Sequence, residues 1–255
     1  MRSVALVVFM VAIWEIACRF LSLPSWLLPA PSAVAAALVK DAIPLMQSFL
    51  FTFKLTLGAF VLALLTGFTI GLLAHLSRGF RQSVFPFTIL LQTTPVVSIA
   101  PLLIIWFRNN AFLALMTCAW LVCVYPMISS TLAGLGKSDA NLQRIFKLYR
   151  ANVWQRLWHL ELPSALPYIV NGLRITGGLA LVGAVGAEFV AGTGGQELGL
   201  AYRLLMAAYN QETARLFAAL VVVSCFGLLI HLMLSKLESM VLKMLRLQDS
   251  SAATG

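Results

Sequence analysis

The sequence predicts an all-α, polytopic membrane protein with about six transmembrane helices and a polar helical segment between the fourth and the fifth. Three observations predict this fold class. The 255 residues are 60% hydrophobic and 11% charged, whereas soluble domains are nearer half apolar and a quarter charged. Long apolar runs recur, and a span needs roughly 20 such residues. The net charge of +9 indicates membrane loops rich in Lys and Arg rather than a nucleic-acid groove, because the aromatic residues lie within apolar runs.

Six apolar runs are interpreted as spans. Their predicted bounds are 4–22, 55–76, 84–107, 111–130, 166–190 and 215–235. The first is interpreted as a retained span rather than a cleaved signal peptide, because no small-x-small cleavage site follows it. Glu15 and Arg19 are four residues apart, so on a helix they are expected to share a face and pair. The alternative is that Arg19 reaches the membrane interface while Glu15 faces neighbouring helices.

The second and third spans contain residues that favour close packing and a broken helix. Before the second span, residues 32–53 are predicted to form an interfacial helix with a break at Pro44. Gly67 and Gly71 make a small-xxx-small pair, which permits close helix contact. After a short basic loop, "HLSRGFRQ", the third span contains three prolines. We therefore expect a broken helix that is packed inside the bundle.

Polar side chains near these prolines are candidates to line a transport pathway. The set comprises Gln92, Thr94, Pro95 and Ser98 in the third span, with Thr93 beside them, and Glu188 near the end of the fifth span. The alternative for the third span is that these side chains only satisfy the broken backbone. An ionisable group such as Glu188 within a span predicts a functional site. Its alternatives are a position near the outer interface or a structural pair with Arg174 or Arg203.

The distribution of positive charge predicts the orientation. With six spans and the N-terminus inside, the inner loops hold more Lys and Arg residues than the outer loops do. The inner residues are Arg2, Arg78, Arg81, Lys137, Arg144, Lys147, Arg150, Arg156, Lys236, Lys243 and Arg246, and the outer ones are Lys40, Lys54, Arg108, Arg203 and Arg215. Both termini and the polar segment at 131–162 are therefore expected in the cytoplasm.

The polar segment is predicted to form one amphipathic helix over residues 138–160. Ser138 or Asp139 can cap its start, and Pro163 is expected to end it. Apolar residues recur at steps of three and four. They are Leu142, Ile145, Phe146, Tyr149, Val153, Leu157 and Leu160, with Trp154 and Trp158 beside the stripe. The pattern fits an interfacial helix on anionic lipid, an ordinary basic loop, or a helix that docks in a groove on a partner protein.

No motif for catalysis or metal binding is evident in the sequence. The four cysteines form no C-x-x-C pair, and the three histidines have no ligand spacing. No G-x-x-x-x-G-K-[ST] phosphate loop occurs, and the outer loop "GTGGQELG" lacks the lysine. We therefore expect no enzyme, no metal and no ATP hydrolysis by this chain alone. An intramembrane enzyme is one alternative class. An ion-gradient-driven secondary transporter is another, although no internal repeat of the kind common in that class is seen.

Three stretches carry a resemblance to a known family. "LELPSALPYIVNGLR", "LALVGAVGAEFVAG" and "QTTPVVSIAPLLIIWF" resemble the membrane subunit of ABC importers that work with a substrate-binding protein. The resemblance covers roughly residues 10–245 and is to the permease group for nitrate, sulfonate, taurine and thiamine precursors. It implies a homodimer in the bacterial plasma (inner) membrane with an outer binding protein and separate ATPase subunits that bind ATP. No cofactor is then expected in this chain itself. The implied solute is a thiamine-precursor pyrimidine or a related heterocycle, with sulfonate, taurine or nitrate as the alternative.

The same family has a cytoplasmic loop with the pattern E-A-A-x3-G-x9-I-x-L-P, which matches only in its second half. Aligned on Leu162 and Pro163, its Glu falls on Arg144, its two Ala on Ile145 and Phe146, its Gly on Arg150 and its Ile on Leu160. Because Arg150 cannot take a positive φ cheaply, the bend is expected to be straighter than in the family. Arg144 in place of Glu reverses a charge, so we expect an acidic partner residue or, alternatively, weakened coupling.

The resemblance implies that this segment contacts the ATPase. The residues expected to make or support the contact are Leu142, Arg144, Ile145, Phe146, Tyr149, Arg150, Val153, Trp154, Leu160, Leu162 and Pro163.

Overall fold

The computed structural model describes residues 2–21, 24–93, 95–108, 110–192 and 199–252. Over these residues it contains α-helices, one π-helical turn and no strand, which confirms the all-α prediction. The helices are α1 (Arg2–Phe20), α2 (Pro31–Lys40), α3 (Ala42–Leu76), α4 (Arg78–Thr93), α5 (Val96–Trp106), α6 (Ala111–Leu135), α7 (Ala140–Leu148), α8 (Val153–Arg156), α9 (Leu162–Ala191), α10 (Leu200–Tyr209) and α11 (Thr213–Ala252). The π-helical turn, Leu157–Glu161, joins α8 to α9.

Four helical stretches among the described residues are long and apolar enough to cross a membrane. They are Ala42–Leu76, Ala111–Leu135, Val153–Ala191 and Thr213–Leu245. Each contains one predicted span and extends beyond it. The first predicted span, 4–22, corresponds to α1, and the count of six spans stays a prediction.

The third predicted span is divided, as its prolines indicate. The helix α4 has 16 residues and α5 has 11, and Pro95 is the residue that caps α5. Neither helix alone has the roughly 20 residues that a span needs. The prediction of a basic loop before this span is wrong, because only Ser77 separates the end of α3 from the start of α4. Residues Arg78 and Arg81 therefore lie on α4 itself.

The interfacial helix predicted over 32–53 is also wrong. The helix α2 ends at Lys40, and α3 then runs through that region to Leu76 without a break. The interruption falls at Asp41, whose backbone N–H donates to the Ala37 carbonyl at 2.9 Å. Pro44 does not break α3 because it lies in the first turn, where a backbone N–H has no helical acceptor.

The chain divides into two compact units. The first comprises Met1–Lys54 and Glu188–Gly227, and the second comprises Leu55–Ala187 and Leu228–Gly255. In the first unit, α2, α10 and the starts of α3 and α11 share one apolar core. Its buried members are Val34, Ala37, Leu45, Leu200, Leu204, Ala218 and Ala219. The ring of Trp14 on α1 packs against Phe217, with centroids 5.8 Å apart.

Small residues allow helices of the second unit to approach closely. A Cβ placed on Gly71 of α3 would lie 2.8 Å from Cβ of Thr131 on α6. A Cβ on Gly67 would lie 2.7 Å from Cβ of Met127. The predicted contact at this glycine pair is therefore confirmed, because a side chain at either position would push α3 away from α6.

Candidate functional site

The helix α7 is a short amphipathic helix with a well-defined start. The Asp139 carboxylate accepts from the backbone N–H groups of Asn141 and Leu142, at 2.6 and 3.3 Å. These are two of the donors that a helix start leaves without an intrahelical partner. The predicted cap at Asp139 is thus confirmed. The Ser138 hydroxyl instead accepts from the Gln143 side chain at 2.6 Å.

The end of α7 corrects the expectation of a straighter bend. Arg150 has a φ of 52° and occupies the left-handed region. The Arg150 N–H donates to the Lys147 carbonyl at 3.0 Å, and the Ala151 N–H donates to the Phe146 carbonyl at 2.9 Å. These two bonds are the Schellman arrangement that ends many helices. The bend typical of the family pattern is therefore present although glycine is absent, because the two bonds offset the strain at Arg150.

A second capped helix follows the bend at once. The Asn152 side chain accepts from the Gln155 N–H at 2.7 Å, and the Gln155 side chain accepts from the Asn152 N–H at 2.9 Å. This capping box fixes the start of α8. Residues 138–160 are thus two short helices and a π-helical turn, and the prediction of one continuous helix is wrong.

Pro163 does not end a helix, which corrects another prediction. It is the second residue of α9, which continues directly from the π-helical turn. Within the turn, the Leu162 N–H donates to the Leu157 carbonyl, five residues back. The wider turn removes the conflict that a proline ring makes with the carbonyl four residues before it.

The predicted apolar stripe is divided between an exposed surface and the core. Its exposed members are Leu142, Ile145, Tyr149 and Val153, and together with the neighbouring Leu148, Trp154 and Trp158 we call them the docking surface. Tyr149 is 84% exposed, Leu148 80%, Trp158 64% and Trp154 61%. The predicted contact residues Leu160 and Leu162 do not belong to it, since Leu160 is buried and Leu162 packs against the apolar core below. Phe146 is half-buried, and Pro163 is exposed.

Basic side chains lie in the same segment as the docking surface. Arg144, Lys147 and Arg150 are all exposed. In the described part of the chain, none of the ion pairs involves them. The segment therefore combines exposed apolar and aromatic side chains with basic side chains.

A polar cluster lies beneath this surface and was missed in the sequence. The Glu161 carboxylate accepts from Arg156 Nε at 2.7 Å, and His75 Nε2 lies 2.9 Å from its second oxygen. Because a carboxylate only accepts, the ring N–H of His75 is the donor. Glu161 is 3% exposed. The available signal was a glutamate directly before Leu162-Pro163, and its partner His75 is too distant in the sequence to be inferred.

The pathway candidates fall in different parts of the structure. Pro95, at the break before α5, and Ser98, in the first turn of α5, are both exposed. The Thr93 hydroxyl donates to the Ile89 carbonyl at 3.1 Å, four residues back within α4, as threonine side chains in helices commonly do. The side chain of Gln92, the residue Thr94 and most of the "GTGGQELG" loop, residues 193–198, lie outside the described residues.

Glu188 is buried in the first unit and fully engaged there. One carboxyl oxygen accepts from the Thr52 hydroxyl at 2.7 Å, and the other accepts from the Ala201 N–H at 2.9 Å. The Thr52 oxygen also accepts from the Leu200 N–H at 2.9 Å. Glu188 therefore holds the start of α10, where an acidic group is favourable. Its contact with a solute stays a prediction.

The other charged candidates have local partners. Arg174, considered as a partner for Glu188, pairs instead with Glu238 of α11 at 3.0 Å. Arg203 donates to the Ser48 hydroxyl at 3.0 Å. The pair of Glu15 and Arg19 is confirmed at 2.6 Å, and Ser32 also donates to the Glu15 carboxylate at 2.9 Å.

Comparison with known proteins agrees with this architecture. The family model of the "binding-protein-dependent transport system inner membrane component" matches residues 63–243. The chain belongs to this family. It is therefore the permease subunit of an ABC importer, a multi-pass protein of the bacterial membrane, and the resemblance inferred from the sequence is confirmed.

Individual relatives match over nearly the whole chain. The formylaminopyrimidine transport permease protein ThiX of Halalkalibacterium halodurans is 28% identical over 91% of this chain and 91% of its own. The riboflavin transport system permease protein RibX of Chloroflexus aurantiacus is 30% identical over 90% of this chain and 85% of its own. The putative aliphatic sulfonates transport permease protein SsuC of Bacillus subtilis is 27% identical over 95% and 87%.

A solved structure has the same fold. The crystal structure of an amino acid ABC transporter with histidines matches with a TM-score of 0.63 and 19% identity. The match covers 80% of this chain and 95% of that one. At this identity the likeness is one of fold alone.

Proposed function

We propose that this importer permease is driven by separate ATPase subunits and that the docking surface is where they bind. The observation that carries the proposal is the exposed aromatic and apolar surface built on two short helices, each of which begins at a side-chain cap. Large exposed apolar patches mark interaction sites. The caps at Asp139, Arg150 and Asn152 hold this patch in one backbone conformation, so little ordering is needed when a partner binds.

Helix length supports a position outside the bilayer. The stretch Val153–Ala191 has 39 residues and, at 1.5 Å per residue, is about 58 Å long. A bilayer core is only about 30 Å thick. The first turns of this stretch, which contain Trp154 and Trp158, are therefore free to extend beyond the membrane.

The bend argues against a helix that simply lies on lipid. Interfacial helices present one continuous apolar face to the membrane. Here the apolar stripe is interrupted at Arg150, and its last members, Leu157 and Leu160, are buried in the protein. A groove on a protein accommodates this bent pair of helices better than a flat membrane surface does.

The charge of the surface specifies the partner groove. Arg144 stands where the family pattern has Glu, and Lys147 and Arg150 add to the same positive area. We expect acidic side chains in the facing groove of the ATPase, because basic side chains there would repel those of this segment. ATP binding would then draw the two ATPases together and move this segment. Both chain termini lie on the same cytoplasmic side as the segment in this proposal.

The family and its named relatives support a proposal for the remaining partners and for the solute. An extracytoplasmic binding protein delivers the solute, and two copies of this chain form the passage, with the third and fifth spans as candidates to line it. We propose a nitrogen heterocycle of the pyrimidine class as solute. Support comes from the relatives ThiX and RibX, whose names specify a pyrimidine and riboflavin and which align over 90% or more of this chain. Sulfonate, taurine and nitrate are the alternative class, since such permeases also match.

The docking role is tested by co-purification of the ATPase with variants of this chain. Trp154→Ala and Tyr149→Asp are expected to reduce ATPase recovery at least about tenfold, which is the effect of losing about 1.4 kcal/mol at an interface hot spot. Trp106→Ala is the matched control, since Trp106 on α5 is similarly exposed, at 68%. Full recovery of the ATPase with both docking-surface variants would rule out the contact.

A further inference from the structure

We propose that Glu161 is a positioning residue that locks the docking surface to the end of α3, so that the two move as one body during the transport cycle. This inference rests on the proposed function, because it takes the docking surface as the point where ATPase motion enters the permease. It concerns a different step, which is the transfer of that motion to a membrane-spanning helix.

Glu161 connects the docking surface to the end of α3. Arg156 lies two residues after Trp154 of the docking surface, and His75 is the second-to-last residue of α3. The two oxygens of the Glu161 carboxylate bind one partner each, at 2.7 and 2.9 Å. A force on the docking surface therefore reaches α3 through two short charged hydrogen bonds, which are stronger than neutral ones.

The π-helical turn brings Arg156 and Glu161 to the same side of the helix. Arg156 and Glu161 are five residues apart, and on an α-helix this spacing would separate their directions by about 140°. In a π-helical turn the bond closes after five residues, and the two side chains come to the same side. The ion pair and the π-helical turn at 157–161 thus stabilise each other, and a change of register would break the pair.

The Glu161 carboxylate is buried in the protein. Glu161 is 3% exposed and Leu157, in the same turn, is 1% exposed. Leu157 packs in the core with Met127 and Leu135 of α6. In this low-dielectric setting an ion pair is little screened by salt, and separating it would leave a buried charge. The connection is therefore expected to persist while the docking surface is pushed.

The proposal is tested by measuring whether the docking surface and α3 stay together when nucleotide binds. Spin labels are attached to cysteines at Asn141 on α7, which is outside the docking surface, and at Leu73 on α3, both exposed positions, in a chain whose native cysteines are replaced by alanine. The full chain is assembled with its ATPase subunits in lipid nanodiscs. The distance between labels is measured without nucleotide and after trapping with Mg-ATP and vanadate.

With Glu161 intact, we expect the distance to change by less than about 2 Å, the scale of small helix shifts. Glu161→Gln removes the charge but keeps the shape of the side chain. In this variant the distribution of distances between the two labels should broaden and shift on trapping, while the ATPase still co-purifies. His75→Gln retains a donor and should behave as the parent chain, whereas His75→Leu should behave as Glu161→Gln. The His75 pair also keeps the proposal testable where Glu161→Gln does not fold.

Glu238→Gln is the matched control, because it removes the partner of Arg174 elsewhere in the same unit. It should leave the distance unchanged. Three outcomes would overturn the lock: an unchanged distance in Glu161→Gln, a large shift in the parent chain, or loss of ATPase association in Glu161→Gln. Failure of the docking role itself is read separately, from ATPase recovery with the Trp154 and Tyr149 variants.

Discussion

Two glutamates are equally buried, at 3% exposed each, but their surroundings differ in kind. Glu161 is bound by the guanidinium of Arg156 and the ring of His75. Glu188 is bound by the Thr52 hydroxyl and by a backbone N–H at the start of α10. The first carboxylate is balanced by charged or chargeable side chains, and the second by neutral donors and the dipole of a helix start.

The comparison teaches that burial of a carboxylate within a helix does not by itself identify its role. Glu188 attracts attention in the sequence because it stands alone in an apolar run, yet its bonds serve to hold the start of α10. Glu161 stands beside a basic segment and is inconspicuous, yet it joins α3 to the docking surface. The partners of a buried charge are more informative than its depth.

The largest expected effect is on stability when Glu161 loses its side-chain oxygens. Glu161→Leu should lower the free energy of unfolding by about 3 kcal/mol, since Arg156 and His75 each lose a hydrogen bond to a charged group, worth about 1.5 kcal/mol. Adding Arg156→Leu should restore part of this loss, because the guanidinium that lost its acceptor is then also absent. Thermal unfolding of the two variants in detergent measures both effects. A double variant no more stable than the single one would contradict the pairing.

A smaller loss is expected at Glu188. Thr52→Val should cost about 1–3 kcal/mol, because it leaves a buried carboxyl oxygen and the Leu200 N–H without a partner. Thr56→Val is the matched control. The Thr56 hydroxyl is buried and has no hydrogen-bond partner among the described residues, so its removal should be neutral. Equal unfolding temperatures for the two variants would show that the Glu188 cluster contributes nothing to stability.

The smallest expected effect is a gain at the bend. Arg150→Gly should raise the free energy of unfolding by about 1 kcal/mol, since glycine takes a positive φ without strain. Lys147→Gly, within α7, should have the opposite sign and cost about 1 kcal/mol. Chemical unfolding of both variants measures the sign of the change in the free energy of unfolding for each. Destabilisation by Arg150→Gly would mean that the arginine side chain matters more than the backbone strain.

Much of the fold is predictable from the sequence because apolar length and glycine spacing act locally. The broken third span follows from its prolines, and a close helix contact at Gly67 and Gly71 follows from their spacing, although the spacing does not identify α6 as the partner. The cap at Asp139 and the pair of Glu15 and Arg19 follow from spacing alone. Each of these signals is carried by residues that are a few positions apart.

The features that the sequence did not reveal have separate physical causes. The bend at Arg150 was expected to straighten because arginine disfavours a positive φ, but two hydrogen bonds at the helix end outweigh that preference. Pro163 was expected to stop a helix, but a π-helical turn accommodates it. His75 and Glu161 are 86 residues apart, so their contact depends on how α3 and α9 pack and has no local signal.

Site-specific photocrosslinking in native membranes tests whether the ATPase binds at the docking surface. A benzophenone amino acid is placed at Trp154, and in a parallel chain at Trp106. The proposed function predicts a light-dependent crosslink from position 154 to an ATPase subunit and none from position 106. Crosslinks from position 154 to lipid only, with the ATPase present and active, would contradict it.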